Sequence, residues 1–362
     1  MTDDKNMHEQ APTGIVSSTG KPGPEIRSDE RFYVNSNKYA PEAAQFQRKW
    51  DQTVRVQQRF ERRPEALTRA ASKSIVSTEV LGHLLADETH KKDVEVALPL
   101  GEYGMGDSWL VFLGRNAPGR RTIASSEVEM EKTSEQIDLV RDSPLDRLKI
   151  KAAEGFTFTT SVEPEQVDDL FELWGSTFGW NREQIENFRQ SIQKEKQGNP
   201  EDRTMWFAGV EYNGQLIGAS MGQKLIMVGE GNVPLECVES TEWRKKPDTP
   251  GNGLTPSVLA GLHAQILDSF GEKTPLIFAE CNIWSGANST GHKAGLQIPQ
   301  REVAIGESIY KVPQILKQNV KIGDDVEVNA PYRDFVVESL KREGIEKYYA
   351  PSQRAEILSY FK

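Results

Sequence analysis

From residue 155 onward the hydrophobic positions switch between a period of two and a period of three to four. "GFTFTTSV", Gly155 to Val162, alternates apolar side chains with threonine and predicts a short strand. In "EPEQVDDLFELWGSTFGW" the side chains of Val167, Leu170, Phe171 and Trp174 fall on one helical face, and acidic residues open the segment where a helix dipole favours them. "NREQIENFRQSIQKEK" predicts a second helix, capped by Asn181 and closed by lysines. "TMWFAGVEYNGQLIGASMGQKLIMVG" reads as two strands joined at Asn213-Gly214, a dipeptide that accepts the positive φ of a tight hairpin. A strand, "VPLECVESTEW", leads into "PDTPGNGLTPSVLAGLHAQILDSF", where a turn crowded with glycine and proline runs straight into a helical pattern. An apolar strand, "TPLIFAECN", and a short helix ending at Gly295, "SGANSTGHKAGLQIP", follow. This order predicts an α+β fold: a mixed, mostly antiparallel sheet flanked by helices, with one βαβ-like crossover around the glycine turn.

The rest of the chain extends that unit. Residues 1–40 are rich in Ser, Pro, Gly and charge and predict a flexible tail, because so few apolar groups cannot offset the entropy of ordering. Phe46, Trp50, Val54 and Phe60 predict an amphipathic helix interrupted at Pro64. Residues 41–150 form an N-terminal helix and a small α/β extension, with a helical start at Thr78 to Ala86 and two strand-like runs, "VEVALPL" and "SWLVFLG". Between those runs lies a second glycine-rich stretch, "GEYGMG". A strand pattern comes after it, so no helix N-terminus faces an anion there, and it reads as a hairpin turn. The domain with the alternating elements is placed at 151–320, and residues 321–362 read as a C-terminal segment of amphipathic helix.

Charge narrows the function. With 44 Lys+Arg against 54 Asp+Glu the chain is acidic and lacks a concentrated basic stripe, which argues against nucleic acid as a partner. Cys237 and Cys281 are too few for a disulfide framework, so a reducing, cytoplasmic setting is expected. No apolar run is long enough for a membrane span and no signal-peptide pattern opens the chain. His83 and His90 have no neighbouring ligands at metal-binding spacing, so no metal site is expected.

The glycine turn Gly251-Asn252-Gly253 poses the chemical question. It lacks the Lys of a phosphate-binding P-loop and the third glycine of a dinucleotide fingerprint. What remains is a short loop whose backbone amides, at a helix N-terminus, either cradle a diphosphate or merely connect two elements. "PDTPGNGL" resembles the acyl-CoA loop P-x-x-R-G-x-G-L of the GNAT superfamily of N-acetyltransferases, with Pro250 where that family usually carries Arg or Gln. "NSTGHKAGL", Asn288 to Leu296, is similar to the same family's helix after the fifth strand, with Gly291 in place of a frequent tyrosine acid. The resemblance covers roughly 155–300 and implies an acyltransferase using acetyl-CoA or another acyl-CoA. It also implies that Gly251, Asn252, Gly253, Leu254 and Thr255 meet the pyrophosphate and Asn288 the pantetheine arm.

Acyl transfer to an amine needs a group that takes the ammonium proton, because a lysine-like amine has a pKa near 10.4. The resemblance implies a base on or near the fourth strand. Glu236, Glu239 and Glu242 are the candidates there, with Glu239 first and Glu242 next. His292 is placed to protonate the leaving thiolate near neutral pH, with Tyr310 as runner-up, whereas the cysteines have no basic neighbour and read as inert core. The acceptor is then a small amine, an amino acid or a protein amine, and a homodimer is one state open to the chain. The opposing reading, favoured by Pro250 and Gly291, is a non-catalytic scaffold built on an acyl-CoA fold.

Overall fold

The computed structural model describes residues 25–26, 56–57, 71–91, 94–114, 143–178, 180–228, 234–247, 249–282, 287–316, 321–322, 325–326 and 335–362. The expected helix around Phe46, Trp50, Val54 and Phe60 and most of the expected tail lie outside these residues. Inside those two segments, Glu25–Ile26 and Val56–Gln57 pair as antiparallel strand, so helix does not extend through Val56.

A small antiparallel sheet comes first among the larger described elements. Its strands are β1 (Ala71–Ser77), β2 (Val94–Pro99) and β3 (Ser108–Gly114), with β3 in the centre, and α1 (Thr78–Ala86) follows β1. Ser77 caps α1 through a bond accepted from the Val80 amide. The expected hairpin at "GEYGMG" is present: a 3-10 turn at Gly101–Tyr103 and two left-handed glycines, Gly104 (φ 79°) and Gly106 (φ 55°), join β2 to β3.

The main body is a seven-stranded sheet. Its elements in chain order are α2 (Pro144–Ala153), β4 (Thr157–Thr159), α3 (Val167–Phe178), α4 (Arg182–Gln197), β5 (Met205–Tyr212), β6 (Gln215–Val228), β7 (Pro234–Lys245), α5 (Leu254–Ser269), β8 (Leu276–Asn282) and α6 (Ala287–Lys293). Next come a hairpin of β9 (Glu302–Ile305) and β10 (Ser308–Lys311), then β11 (Ile315–Leu316), β12 (Phe335–Ser339), α7 (Arg342–Tyr348) and α8 (Pro351–Ser359). The strand order is β11-β12-β8-β7-β6-β5-β4, antiparallel except for β7 beside β8. The fold is therefore mixed α/β with a mostly antiparallel sheet flanked by helices, as the periodicities predict. One correction falls at the C-terminus: Phe335–Ser339 is not helical but forms β12, in full register with β8.

Both faces of the sheet are covered, as a buried sheet requires. On one face α3 and α4 pack Leu170, Trp174, Ile185 and Phe188 against Phe207 and Met221, while the small sheet sets Leu110 and Phe112 against Cys237 and Phe278. On the other face α5 lies across the strands, and 14 of its 16 residues are buried, so it is a central helix rather than an amphipathic surface one. Val258 and Leu262 of α5 pack on Val238 and Ile277, flanked by α2 and α8. Gly261 permits the closest approach, because a Cβ there would sit 1.9 Å from the Phe361 ring.

Candidate functional site

The site begins where two parallel strands part. The β7–β8 ladder covers only Leu276–Phe278 against Cys237–Glu239, yet β7 runs on to Lys245 and β8 to Asn282. β8 remains paired with β12 through Asn282. On the far side of β7 the ladder with β6 continues to Lys245, but with a register shift between Ala219 and Met221. Thr241 faces Met221 and Arg244 faces Ala219, so one extra residue of β7 is accommodated at Glu242, whose φ is 59°. This is a β-bulge, and a buried non-glycine residue holds its left-handed position at a cost of roughly 1–3 kcal/mol. The indole of Trp174 donates to the Glu242 carbonyl at 3.0 Å and fixes the bulge from α3.

The glycine turn sits just beyond, at the same end of the pair. Gly251 (φ 89°) and Gly253 (φ 79°) are both left-handed, and Gly253 is the N-cap of α5 with no side chain capping the helix. The two glycines differ in their surroundings. A Cβ at Gly251 would lie 2.7 Å from the Phe156 ring and 2.8 Å from Leu254, whereas at Gly253 it would meet nothing within 4 Å. Asn252 and Gly253 are exposed, Gly251 and Thr255 are half-buried, and Leu254 turns into the core. Pro256 is the third residue of α5 and has no amide to offer, so the free donors come from Leu254, Thr255 and the turn itself.

Neighbouring cations are mostly occupied. Lys245 Nζ donates to the Thr249 carbonyl at 2.8 Å, and Thr249 Oγ1 donates to the Lys246 carbonyl at 2.8 Å. Lys246 pairs with Asp169 at 2.7 Å and Glu172 at 2.8 Å, which ties the turn to α3. Neither Lys246 nor Thr249 therefore stands ready to replace the side chain absent at Pro250. The Arg244 side chain is exposed and forms no hydrogen bond or ion pair with the described residues.

Beneath α5 lies a polar network that sequence reasoning missed. His263 is fully buried; its Nε2 meets Ser240 Oγ of β7 at 3.2 Å and its Nδ1 meets Tyr349 Oη at 3.4 Å. Tyr349 donates to the Ala294 carbonyl at 2.6 Å, and Trp243 Nε1 donates to Ser240 Oγ at 3.2 Å. Burial pushes the imidazole of His263 down to about 4, so it is neutral at pH 7. These residues are scattered from β7 to the C-terminal segment, and no spacing rule joins them; a lone His in an apolar helix pattern is the only sequence signal. Ser257, in the first turns of the same helix, has a buried hydroxyl with no hydrogen-bond partner.

The expected catalytic residues are only partly brought together. Glu239 is half-buried on β7, level with Gln223 of β6 and Phe278 of β8, at the last rung before the strands part. Glu242 is buried at the bulge. His292 of α6 lies 3.3 Å from Glu338 of β12, and burial pushes its imidazole down to about 4. Glu338 is wholly buried, and burial drives its carboxyl well above the usual carboxylate range, so burial disfavours the charged form of both partners. His292 therefore does not titrate near neutrality as a solvated histidine would, a correction that burial explains. Gly291 is needed there because a Cβ would sit 2.0 Å from Glu338 Oε2. Tyr310 lies on the β9–β10 hairpin against the core of the small sheet, on the opposite face from Leu254, and the fold does not bring it to the turn. Asn288 lies on α6, which follows β8 at the end where the strands part. Both cysteines are free and buried, and burial and the Glu338 carboxyl push the Cys281 thiol well up, so Cys281 is not a thiolate nucleophile. Among the described residues no cluster of His, Cys, Asp and Glu could hold a metal, and no helix is long and apolar enough to cross a membrane.

No family model matches the chain, and no curated protein does. Solved structures do. A GNAT-family acetyltransferase from Desulfovibrio desulfuricans is 14% identical, covers 51% of this chain and 98% of its own, and superposes with a TM-score of 0.30. A Streptococcus pneumoniae acetyltransferase of the same family is 12% identical over 51% of this chain and 98% of its own, TM-score 0.34. An aminoglycoside acetyltransferase in complex with coenzyme A and kanamycin is 13% identical over 54% and 99%, TM-score 0.32. The structural neighbours are acetyltransferases, and they span about half of the chain.

Proposed function

We propose that the chain is an N-acyltransferase that binds an acyl-CoA between β7 and β8 and transfers the acyl group to a primary amine in a ternary complex. The observation that carries this reading is the conjunction of parted parallel strands with an uncapped helix N-terminus at the same end of the pair. The amides of Asn252, Gly253, Leu254 and Thr255 would hold the diphosphate, with the α5 dipole adding to their attraction. Arg244 is the cation free to supply the charge missing at Pro250. The pantetheine arm would run in the gap past Ser240 toward α6, where Asn288 would meet it. The backbone edges exposed by the parting strands suit an amide-rich arm.

In this reading the amine nitrogen attacks the thioester carbonyl, the carbon–sulfur bond breaks, and the ammonium proton leaves through a carboxylate. Glu239 is the first choice for that role because it sits at the last rung before the gap; Glu242 is second. His292, as a neutral imidazole held beside Glu338, would serve as a hydrogen-bond partner of the thiolate rather than as an imidazolium acid. The acceptor would be a small amine, an amino acid or a protein amine, and a cytoplasmic setting fits such chemistry. Two facts favour the scaffold reading instead: Pro250 offers no donor, and Gly251 packs on Phe156 as a purely structural connection would.

Titration with CoA followed by thiol release against a panel of amines separates the two. Binding of CoA with thiol release supports the transferase, binding without turnover supports the scaffold, and no binding removes the transferase. The loop is best probed at Gly253→Glu, since its Cβ points into open space. Retention of CoA binding in that variant would refute the diphosphate assignment.

A further inference from the structure

A second cavity, of about 310 Å³, lies at the opposite edge of the sheet, between α4, β5, the end of α5 and the C-terminal segment. Its base is apolar and closed. Met205, Trp206 and Ile192 are buried there, and Leu358 and Phe361 form a side wall. The polar groups at the base already have partners: Trp206 Nε1 donates to Ser269 Oγ at 3.1 Å, and Gln265 Nε2 donates to the Phe207 carbonyl at 3.0 Å. The base therefore asks for an apolar occupant. The bonds from Thr160 N to Lys362 O (3.0 Å) and from Lys362 N to Phe158 O (3.1 Å) fasten the C-terminal wall to β4.

The rim is cationic. Lys196, Arg203 and Lys362 line it against a single acidic side chain, Asp268, with the Lys362 main-chain oxygen held by Thr160. Lys196 Nζ donates to two hydroxyls, Thr160 Oγ1 at 2.8 Å and Ser161 Oγ at 2.9 Å, which leaves its third proton for a ligand. The Arg203 guanidinium forms no hydrogen bond or ion pair with any described residue, and its Nε is buried. Glu195 and Asp268 lie near enough to favour its charge, but neither is within ion-pair distance, and Glu195 is engaged by Thr204 and by the Met205 amide. Burial, and next the nearby Arg203 charge, disfavour the charged form of Lys196. A half-buried guanidinium with an orphaned buried donor, next to a second cation and with no anion between them, is an arrangement that folding alone penalises.

We propose that this cavity binds a carboxylate with an apolar body, the carboxylate between Arg203 and Lys196 and the body on Trp206 and Phe361. A planar carboxylate matches the guanidinium fork, and 310 Å³ is at the small end of the range for ligand pockets. The site is independent of the proposed acyl-CoA cleft, because it opens at the β4–β5 edge and shares no residue with the glycine turn.

Calorimetric titration of the full chain with sodium octanoate, octanamide and inorganic phosphate tests it. Octanoate is expected to saturate one site, with octanamide and phosphate each at least about tenfold weaker. Arg203→Gln and, separately, the exposed Lys196→Gln should each weaken octanoate about tenfold or more, and Arg203→Lys should recover part of the loss. Saturating CoA and Gly253→Glu should leave octanoate binding unchanged. The proposal is overturned by the absence of saturation up to about 10 mM octanoate, by phosphate binding as tightly as octanoate, or by displacement of octanoate by CoA. If Arg203→Gln fails to fold, normal octanoate binding by Lys196→Gln is sufficient to reject it.

Discussion

The chain contains two glycine-rich turns with left-handed glycines, Gly104 and Gly106 in one and Gly251 and Gly253 in the other, and they do different things. The first closes a hairpin, and its two left-handed glycines are open: a Cβ at either meets nothing within 4 Å. The second starts a helix, and one of its glycines is pressed against Phe156 while the other faces solvent. Beside the first, Leu110 and Phe112 pack on the main sheet and Tyr103 Oη donates to the Leu340 carbonyl; near the second lie His263, Ser240, Tyr349, His292 and Glu338. Positive φ thus says only that glycine is favoured. The element that a turn leads into, and the groups beneath it, decide whether it can meet a ligand.

Acid should expose the largest difference. His263 and His292 take up a proton at about 6.5 when unfolded but at about 4 when folded, so their contribution is complete above pH 6.5 and is lost as the pH falls toward 4. Glu338 works in the opposite sense: its folded pKa is raised, so it favours the folded state as the pH falls toward its unfolded value. In Glu338→Gln the two imidazoles act unopposed, and on the order of 4 kcal/mol is expected to be lost between pH 7.5 and 5. Wild type should lose less. Urea unfolding of both proteins checks this, and amide exchange at pH 5 should rise in α5, α6 and β12 more than in β1–β3. An equal slope in the two proteins would contradict the upward shift that burial gives the Glu338 carboxyl.

The two turns should also respond differently to a side chain. Gly251→Val adds a clash with Phe156 to a strained φ and should cost about 3 kcal/mol, whereas Gly104→Val carries only the conformational penalty of about 1–2 kcal/mol. Denaturant midpoints measure both. Equal costs would mean that the packing around Gly251 is not what holds the turn.

Much of this was legible in the chain. Asn213-Gly214 predicts a two-residue hairpin, and both residues take positive φ, 52° and 77°. Asn181 predicts a cap and accepts from the Gln184 amide at 2.8 Å, with Gln184 completing the capping box. These signals are local, so short-range sterics suffice to read them. β12 was not legible, because "FVVES" is short, buried among other strands and set in the charged, helix-like run "RDFVVESLKREG". The parting of β7 and β8 and the Ser240–His263–Tyr349 network are tertiary properties, and the low pKa of His292 comes from burial that no motif records.

Ligand binding separates the turns next. At 100 times its dissociation constant CoA should stabilise the wild type by about 2.7 kcal/mol. Gly253→Glu should abolish this shift, because a carboxylate at the helix N-terminus would occupy the position of the diphosphate, whereas Gly106→Glu on the hairpin should leave it intact. Thermal unfolding with and without CoA gives the answer, and a shift that survives Gly253→Glu would reduce the second turn to a connector like the first.

The smallest expected effect concerns how the second turn is held. Lys246 reaches from its first residues to Asp169 and Glu172 of α3, and its side chain is 17% exposed, so it is screened less than a surface pair. Lys246→Met keeps the aliphatic stem and removes the charge, and should cost about 1 kcal/mol. If the tie also aligns the turn amides for an anion, CoA affinity in Lys246→Met should fall by several-fold while the unfolding midpoint moves only slightly. A midpoint shift with unchanged affinity would mean that α3 braces the sheet and not the turn. The hairpin at Gly104 starts no helix of its own, and its tie to a helix runs through a side chain: Glu102 accepts from the Arg342 amide at the start of α7 at 3.2 Å.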